Sequence, residues 1–197
     1  MVAAASIWVG RCHSVGVCAH GTRCPGSAKS HWSVGRRHFR VTGAGYRLAK
    51  WTRAQQAFDG LGAQRTGGRW NSPGVRLVYA AENLSLAQLE VLVHFERTSA
   101  LGRYALIVAR FPASLVLRME DQFATPADWA SRPPSRSTQL IGDRWVRDQA
   151  SAILSVPTVI SPGERNLLFN PLHPDFSQVV LDPPVRFQFD GRLAPAL

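Results

Sequence analysis

Segments of strand length and segments of helical period follow one another in this chain without regular β-α-β alternation. That order argues against a doubly wound parallel sheet. It predicts an α+β fold, with mixed or antiparallel sheets and flanking helices. LVYAA (77–81), YALIVARF (104–111), SLVLRM (114–119), VVL (179–181) and VRFQF (185–189) read as strands. The clearest helix is SLAQLEVLVHFER (85–97), where Leu86, Leu89 and Val93 recur at i, i+3 and i+7 as one apolar stripe. Ser85 and Gln88 fit a capping box at its start. Further helices are expected over 53–61 and over 142–154, the second with Asp143 as N-cap and Val156-Pro157 as its break. Two turn-rich stretches lie between these elements, RTGGRWNSPG (65–74) and TPADWASRPPSRST (125–138). The second is long enough for a loop to point to function.

Residues 1–44 differ from the rest. They are rich in Gly, Ser, Ala and His and have no sustained period. The chain's net charge is +10, and six of its basic residues fall within residues 1–45, which contain no acidic residue. Residues 46–197 hold 17 basic against 13 acidic residues. The reading is therefore a basic, poorly structured leader (1–44) followed by one domain (45–197). Cys12, Cys18 and Cys24 all lie in the leader, as do four of the six histidines. No Cys-x-x-Cys pair is present and the cysteine count is odd, so neither a zinc site nor a disulfide framework is expected. No apolar run approaches the ~18–20 residues that span a bilayer, and no basic region precedes MVAAASIWVG as in a signal peptide. These features predict a cytoplasmic protein without membrane association.

Glu90 is the most informative single residue. Its helical position sets a carboxylate beside the apolar stripe, where it is a boundary residue reaching solvent, a structural salt-bridge partner, or a functional group that meets a substrate. Arg47 and Arg69 are candidate partners and phosphate ligands, the latter inside GGRWN. Tyr79 ends a strand and is either a core aromatic or a stacking surface. Asn166 and Asn170 sit in NLLFNP, as ligand-binding amides or as caps in a turn. His94 and His173 read as structural. There is no GxGxxG before a helix and no P-loop, so neither usual nucleotide cradle is present.

Six segments, in order, carry a family resemblance: YRLA (46–49), GGRWNSPG (67–74), VYAAENLSLAQLE (78–90), IGDRW (141–145), VPTVISPGERNLLFNPLHPDF (156–176) and FQFDGRL (187–193). Together they resemble the RES domain, named for its Arg, Glu and Ser positions, over Tyr46 to Leu193. The resemblance implies a fold related to ADP-ribosyltransferases and diphtheria-toxin-like NAD binders. It implies a toxin that cleaves the nicotinamide–ribose bond of NAD, by hydrolysis or phosphorolysis, and so arrests growth. NAD is then a substrate, with inorganic phosphate as a possible co-substrate, and no true cofactor or metal is required. The implied partner is an Xre-like antitoxin that blocks the active site within an oligomeric complex, DNA being reached only through that antitoxin. The implied catalytic positions are Arg47, Arg69, Tyr79 and Glu90. Thr158 stands after Val-Pro where the family has serine, with Ser155 nearby as a competing hydroxyl. Asn166 and Asn170 join Arg47, Arg69 and Tyr79 as residues that hold NAD.

Two other readings compete. An ADP-ribosyltransferase acting on a host protein would use the same residues. A nucleic-acid-binding module would need basic and aromatic residues interleaved in the folded part, and the modest charge of residues 46–197 disfavours it. The leader generates a direct expectation. A chain beginning at Thr42 folds and retains the full activity, as measured by thermal melting and turnover. Failure of that shortened chain to fold, or stoichiometric zinc in the full one, contradicts this division.

Overall fold

The computed structural model describes residues 42–94 and 103–193. The leader, its cysteines and its histidines lie outside the described residues, as does the end of the expected 85–97 helix. Eight strands among the described residues form one sheet: β1 (Gly43–Lys50), β2 (Val78–Ala81), β3 (Tyr104–Phe111), β4 (Val116–Arg118), β5 (Ile153–Pro157), β6 (Arg165–Phe169), β7 (Val180–Leu181) and β8 (Val185–Phe187). The order is β4-β5-β6-β2-β1-β3-β7, with β8 also on β3. Every pairing is antiparallel except β4 with β5. The helices are α1 (Leu61–Thr66), α2 (Leu84–Leu92), α3 (Met119–Gln122) and α4 (Arg136–Arg147). The mixed sheet with flanking helices is the α+β architecture expected. β1 begins at Gly43, just ahead of the expected domain boundary.

β1 and β3 pair along their whole length, from Gly43 opposite Phe111 to Lys50 opposite Tyr104. β3 alternates as a strand covered on one face should. Ala105, Ile107, Ala109 and Phe111 are buried, and the intervening residues are less so. β5 and β6 are interior strands of the sheet. Ile153 and Phe169 face one core with Phe58 and Phe111, whereas Leu154 and Leu168 face another with Trp70, Met119 and Trp145. Cover on both faces explains the continuous apolar runs of these two strands. A third cluster, Leu48, Ala81, Leu86, Ala87 and Phe189, seats α2 against the sheet. Each large side chain so buried contributes roughly 1.5–3 kcal/mol.

Several local expectations are corrected. Ser85 does not cap α2. Asn83 does, its Oδ1 accepting from the Leu86 N–H at 2.8 Å. Leu89 and Val93 are exposed, so the buried face is Leu86 and Ala87, with Val91 and Leu92 packed beside them. The 53–61 segment is a 3-10 turn over Trp51–Gln56, and regular helix starts only at Leu61. SLVLRM splits into a 3-10 turn, the short β4 and the start of α3. The helix placed at 142–154 is α4, which begins earlier, inside the expected 125–138 loop, with Ser135 as N-cap. It ends where Gln149 takes a positive φ of 46°. Ile153 and Leu154 therefore belong to β5. Asp143 is internal to α4, and its carboxylate accepts from the Ser72 N–H at 2.9 Å.

α4 meets the GGRWN turn at Gly142. A Cβ at Gly142 would stand 1.7 Å from the Trp70 carbonyl oxygen. That oxygen is backbone and cannot rotate away, so the helix or the turn would have to move. Gly142→Ala is expected to destabilise the protein by at least ~2–3 kcal/mol and to lower Tm by roughly 5–10 °C, as measured by thermal unfolding.

Candidate active site

α2 follows β2 after a two-residue turn, Glu82 and Asn83, and packs on β1 and β2, from where the Glu90 side chain reaches the segment after β5 and the start of β6. Glu90 lies in the last turn of α2, half-buried, on the wall of a cavity of about 660 Å³. Two donors from the sheet meet on its Oε1. The Thr158 hydroxyl, just past β5, donates at 3.1 Å, and Asn166 Nδ2, on β6, donates at 2.5 Å. The same hydroxyl accepts from the Ile160 N–H at 3.2 Å, which turns its proton toward the carboxylate. Glu90 Oε2 makes no hydrogen bond among the described residues. The carboxylate is thus anchored by one oxygen and open at the other.

The anchors are themselves tied to α2. Asn83 caps the helix with Oδ1 and donates from Nδ2 to the Glu164 carboxylate at 3.0 Å. The Glu164 carbonyl accepts from the Thr158 N–H at 3.3 Å. The Arg165 N–H donates to Glu82 Oε1 at 2.7 Å. Helix and hairpin are therefore joined at both ends of the path between Glu90 and Thr158.

Arg47 rises from β1 and is almost wholly withdrawn from water. Its Nη1 donates to the Tyr79 carbonyl and its Nε has no hydrogen-bond partner among the described residues. Burial pushes its pKa down to about 10, and the Asp59 carboxylate only partly opposes this. Arg69 donates through Nη1 to the carbonyls of Trp129 at 2.7 Å and Ser131 at 3.0 Å, pinning the 125–138 segment to the cavity. Burial and the neighbouring Arg132 cation lower its pKa. The Tyr79 hydroxyl donates to Asn71 Oδ1 at 2.8 Å and accepts from the Trp70 N–H at 2.9 Å. Burial raises its pKa, so it remains a phenol. Gly68 lies so near that a Cβ there would fall 2.5 Å from the hydroxyl. Tyr79 therefore forms wall and frame together.

The cavity gathers Arg47, Arg69, Tyr79, Glu90, Thr158 and Asn166. Asn170 is not among them. It is fully buried, and its Oδ1 accepts from the Leu172 N–H at 3.1 Å, the turn-capping role open to it from the sequence. Asn166, by contrast, is a strand residue rather than a turn cap. Ser155 is also elsewhere, accepting from Arg165 Nε at 2.7 Å, so the hydroxyl beside Glu90 belongs to Thr158. His173 is structural, its Nδ1 accepting from the Asp175 N–H at 3.1 Å. His94, read as structural, lines the cavity instead. Sequence reasoning missed Asn83 and Asn71. The first was visible as a preferred N-cap residue directly before the helix. The second is a buried amide whose Nδ2 donates to the Ala63 and Val75 carbonyls at 2.9 and 3.0 Å, and no local pattern marks such a role.

The RES domain family model matches residues 38–190. The chain belongs to the RES-domain toxin family. A protein named Toxin Res from Yersinia enterocolitica is 35% identical over 79% of this chain and 97% of its own length. A Prs ADP-ribosylating toxin from Sphingobium sp. is 38% identical over 78% of this chain and 98% of its own. One solved structure, the M. tuberculosis MbcT-MbcA toxin-antitoxin complex, contains a chain that matches with a TM-score of 0.59 at 21% identity. That match covers 74% of this chain and 84% of the other. In this RES fold the cavity lies among α2, β1, β2 and the segment that follows β5.

Arg47 is a buried cation with no ion-pair partner among the described residues. Below pH ~10 the folded protein holds it charged against desolvation, so at neutral pH this charge opposes folding. Arg47→Met is expected to melt at or above the wild-type Tm while losing activity. Paired melting and turnover measurements on one sample check this. A variant that melts well below wild type would show that the bond to the Tyr79 carbonyl outweighs the buried charge.

Proposed function

We propose that the chain is the toxin of a toxin–antitoxin pair and that it cleaves the nicotinamide–ribose bond of NAD. The observation that carries this reading is the Glu90 carboxylate, fixed at Oε1 by Thr158 and Asn166 and free at Oε2 within the cavity. Nicotinamide leaves NAD as a neutral base. The electrons of the C1′–N bond pass to the ring nitrogen and no proton is required. One carboxylate can then suffice, where ordinary glycoside hydrolysis uses two. Oε2 would accept a ribose hydroxyl and face the positive charge that develops at C1′. Holding Oε1 with two donors keeps that charge pre-oriented, so little reorganisation is needed as the bond breaks.

The remaining residues have complementary roles in this scheme. The Tyr79 ring supplies a rigid wall for the nicotinamide or the adjoining ribose. Arg47 and Arg69 each have one nitrogen committed to backbone carbonyls and would offer their other N–H groups to the phosphate next to that ribose. Water or inorganic phosphate would attack C1′ in place of nicotinamide. Transfer of ADP-ribose to a protein is the second reading, supported by the name of the Sphingobium relative. The antitoxin partner is proposed from the M. tuberculosis complex. We assign it the Xre-like type and the role of blocking this cavity.

Glu90→Gln keeps shape and removes charge. It is expected to fold, to bind NAD and to lose about 10²–10³-fold in kcat, and to stop arresting growth when expressed without antitoxin. NAD consumption and product identity, with and without phosphate and with a candidate protein acceptor, check this against thermal stability. A stable Glu90→Gln protein with wild-type turnover would remove the carboxylate from the mechanism.

A further inference from the structure

β6 lies between β2 and β5, and its two ladders end close together. Ala81 opposite Asn166 is the last rung with β2, and Pro157 opposite Arg165 is the last rung with β5. The bonding continues past both ends. The Glu82 N–H donates to the Arg165 carbonyl at 3.2 Å, and the Arg165 N–H donates to the Glu82 carboxylate at 2.7 Å. At the next position in the same register Asn83 meets Glu164, and this rung is made by side chains. Asn83 Nδ2 donates to the Glu164 carboxylate at 3.0 Å. On the other side of Glu164, at the next position in the β5–β6 register, the Thr158 N–H donates to the Glu164 carbonyl at 3.3 Å. Glu164 therefore links Asn83 to Thr158 where both ladders have run out.

Capping α2 does not require this link. Asn83 Oδ1 already caps the helix by accepting from the Leu86 N–H, and Ser, Thr or Asp would cap as well. The Nδ2 arm instead holds the turn that begins at Thr158. The hydroxyl of Thr158 donates to Glu90, about two turns (~10 Å) further along the same helix. The contacts close a ring: Asn83 to Glu90 through α2, Glu90 to Thr158, Thr158 to Glu164, and Glu164 back to Asn83. Two other hydrogen bonds of this turn, from the Ile160 N–H to the Thr158 hydroxyl and from the Glu164 N–H to the Ser161 carbonyl, are internal to it and do not fix it against α2. We infer that Asn83 and Glu164 are positioning residues for the cleavage step. They extend the sheet by side chains beyond its last rungs and so hold the Thr158 hydroxyl on Glu90 Oε1. The assignment rests on the Glu90 mechanism above and extends it to residues outside the family's named Arg, Glu and Ser positions. Misplacing a reacting group by about 1 Å can cost up to ~10²-fold in rate, so this link bears on turnover as well as on stability.

The test compares variants of the full chain by melting, NAD turnover and amide hydrogen exchange. Asn83→Ser keeps a cap but is too short to reach Glu164. It is expected to melt close to wild type and to lower kcat by about tenfold while KM stays within about twofold. Glu164→Ala cuts the same bond from the other side and is expected to match it, with the double variant no worse than either single one. Glu164→Gln keeps an accepting oxygen and is expected to retain turnover. In Asn83→Ser the Thr158 and Ile160 amides are expected to exchange faster, with those of β2 unchanged. In a Thr158→Val background, Asn83→Ser is expected to have no further effect on kcat, because the hydroxyl through which it acts is gone. An equal loss in that background overturns the inference, since the effect would then pass through the helix cap. So does an Asn83→Ser protein with wild-type kcat and wild-type exchange, or one that changes KM alone. If Asn83→Ser melts early, Glu164→Ala decides the same comparisons. A wild-type protein that does not consume NAD would defeat the proposed reaction, and exchange at Thr158 and Ile160 would still decide whether Asn83 and Glu164 hold the turn.

Discussion

Two donors from neighbouring strands meet on one oxygen of Glu90, and the position of α2 depends on that meeting. A half-buried carboxylate would be costly without partners. Thr158 and Asn166 provide them, and hydrogen bonds to a charged acceptor are stronger than neutral ones. The Asn83 amide and the Glu82 carboxylate fasten the other end of the same helix to the β5–β6 hairpin. The helix is short, and its buried face is only Leu86 and Ala87 with partial help from Val91 and Leu92. Polar contacts therefore set its register as much as apolar packing does. That arrangement leaves Oε2 available to a ligand.

The opposite wall follows another logic. Asn71 organises the GGRWN turn from inside, the turn receives the Tyr79 hydroxyl, and β2 passes the Tyr79 carbonyl to Arg47. These groups are withdrawn from water and mostly satisfied, so the turn is rigid despite its glycines. The exceptions are informative. Among the described residues, Arg47 Nε, Asn166 Oδ1 and Asn170 Nδ2 are buried without partners; the first two residues lie on the cavity that holds Glu90, and Asn170 does not. Buried polar atoms left unpaired reduce stability, and at a binding site that cost is tolerated where a ligand is to be met.

Much of this was legible beforehand where a signal is local. The period-2 pattern of YALIVARF marked β3 to its end residues, and the Gly-rich RTGGRWNSPG marked the turn. Glu90 stood out because a carboxylate interrupts apolar spacing. The stripe used to argue this was partly mistaken, since Leu89 and Val93 are exposed while Ala87 is buried. Periodicity identifies a helix more securely than it orients one, because which side is covered depends on strands far along the chain. The misplaced start of α4 has a similar cause. Ser135 and Asp143 are both good N-cap residues, and only the packing of Ile141, Gly142 and Trp145 against Trp70 and the sheet chooses between them.

The sequence by itself determined the class of fold, the existence of the helix bearing Glu90, and the ordered segments that resemble RES domains. These rest on spacing and residue type, which survive without coordinates. Tertiary structure decided which polar residues share a cavity. It chose Thr158 over Ser155 and Asn166 over Asn170, although each pair lies close in sequence with the same or nearly the same chemistry. The reason is geometric. Ser155 lies within β5 and Thr158 just past its end, while Asn166 lies within β6 and Asn170 just past its end, so where each strand stops moves a hydroxyl or an amide between a cavity and a turn or a core. Only the pairing of β5 with β6 and β6 with β2, made across long separations in the chain, decides which of them meets Glu90.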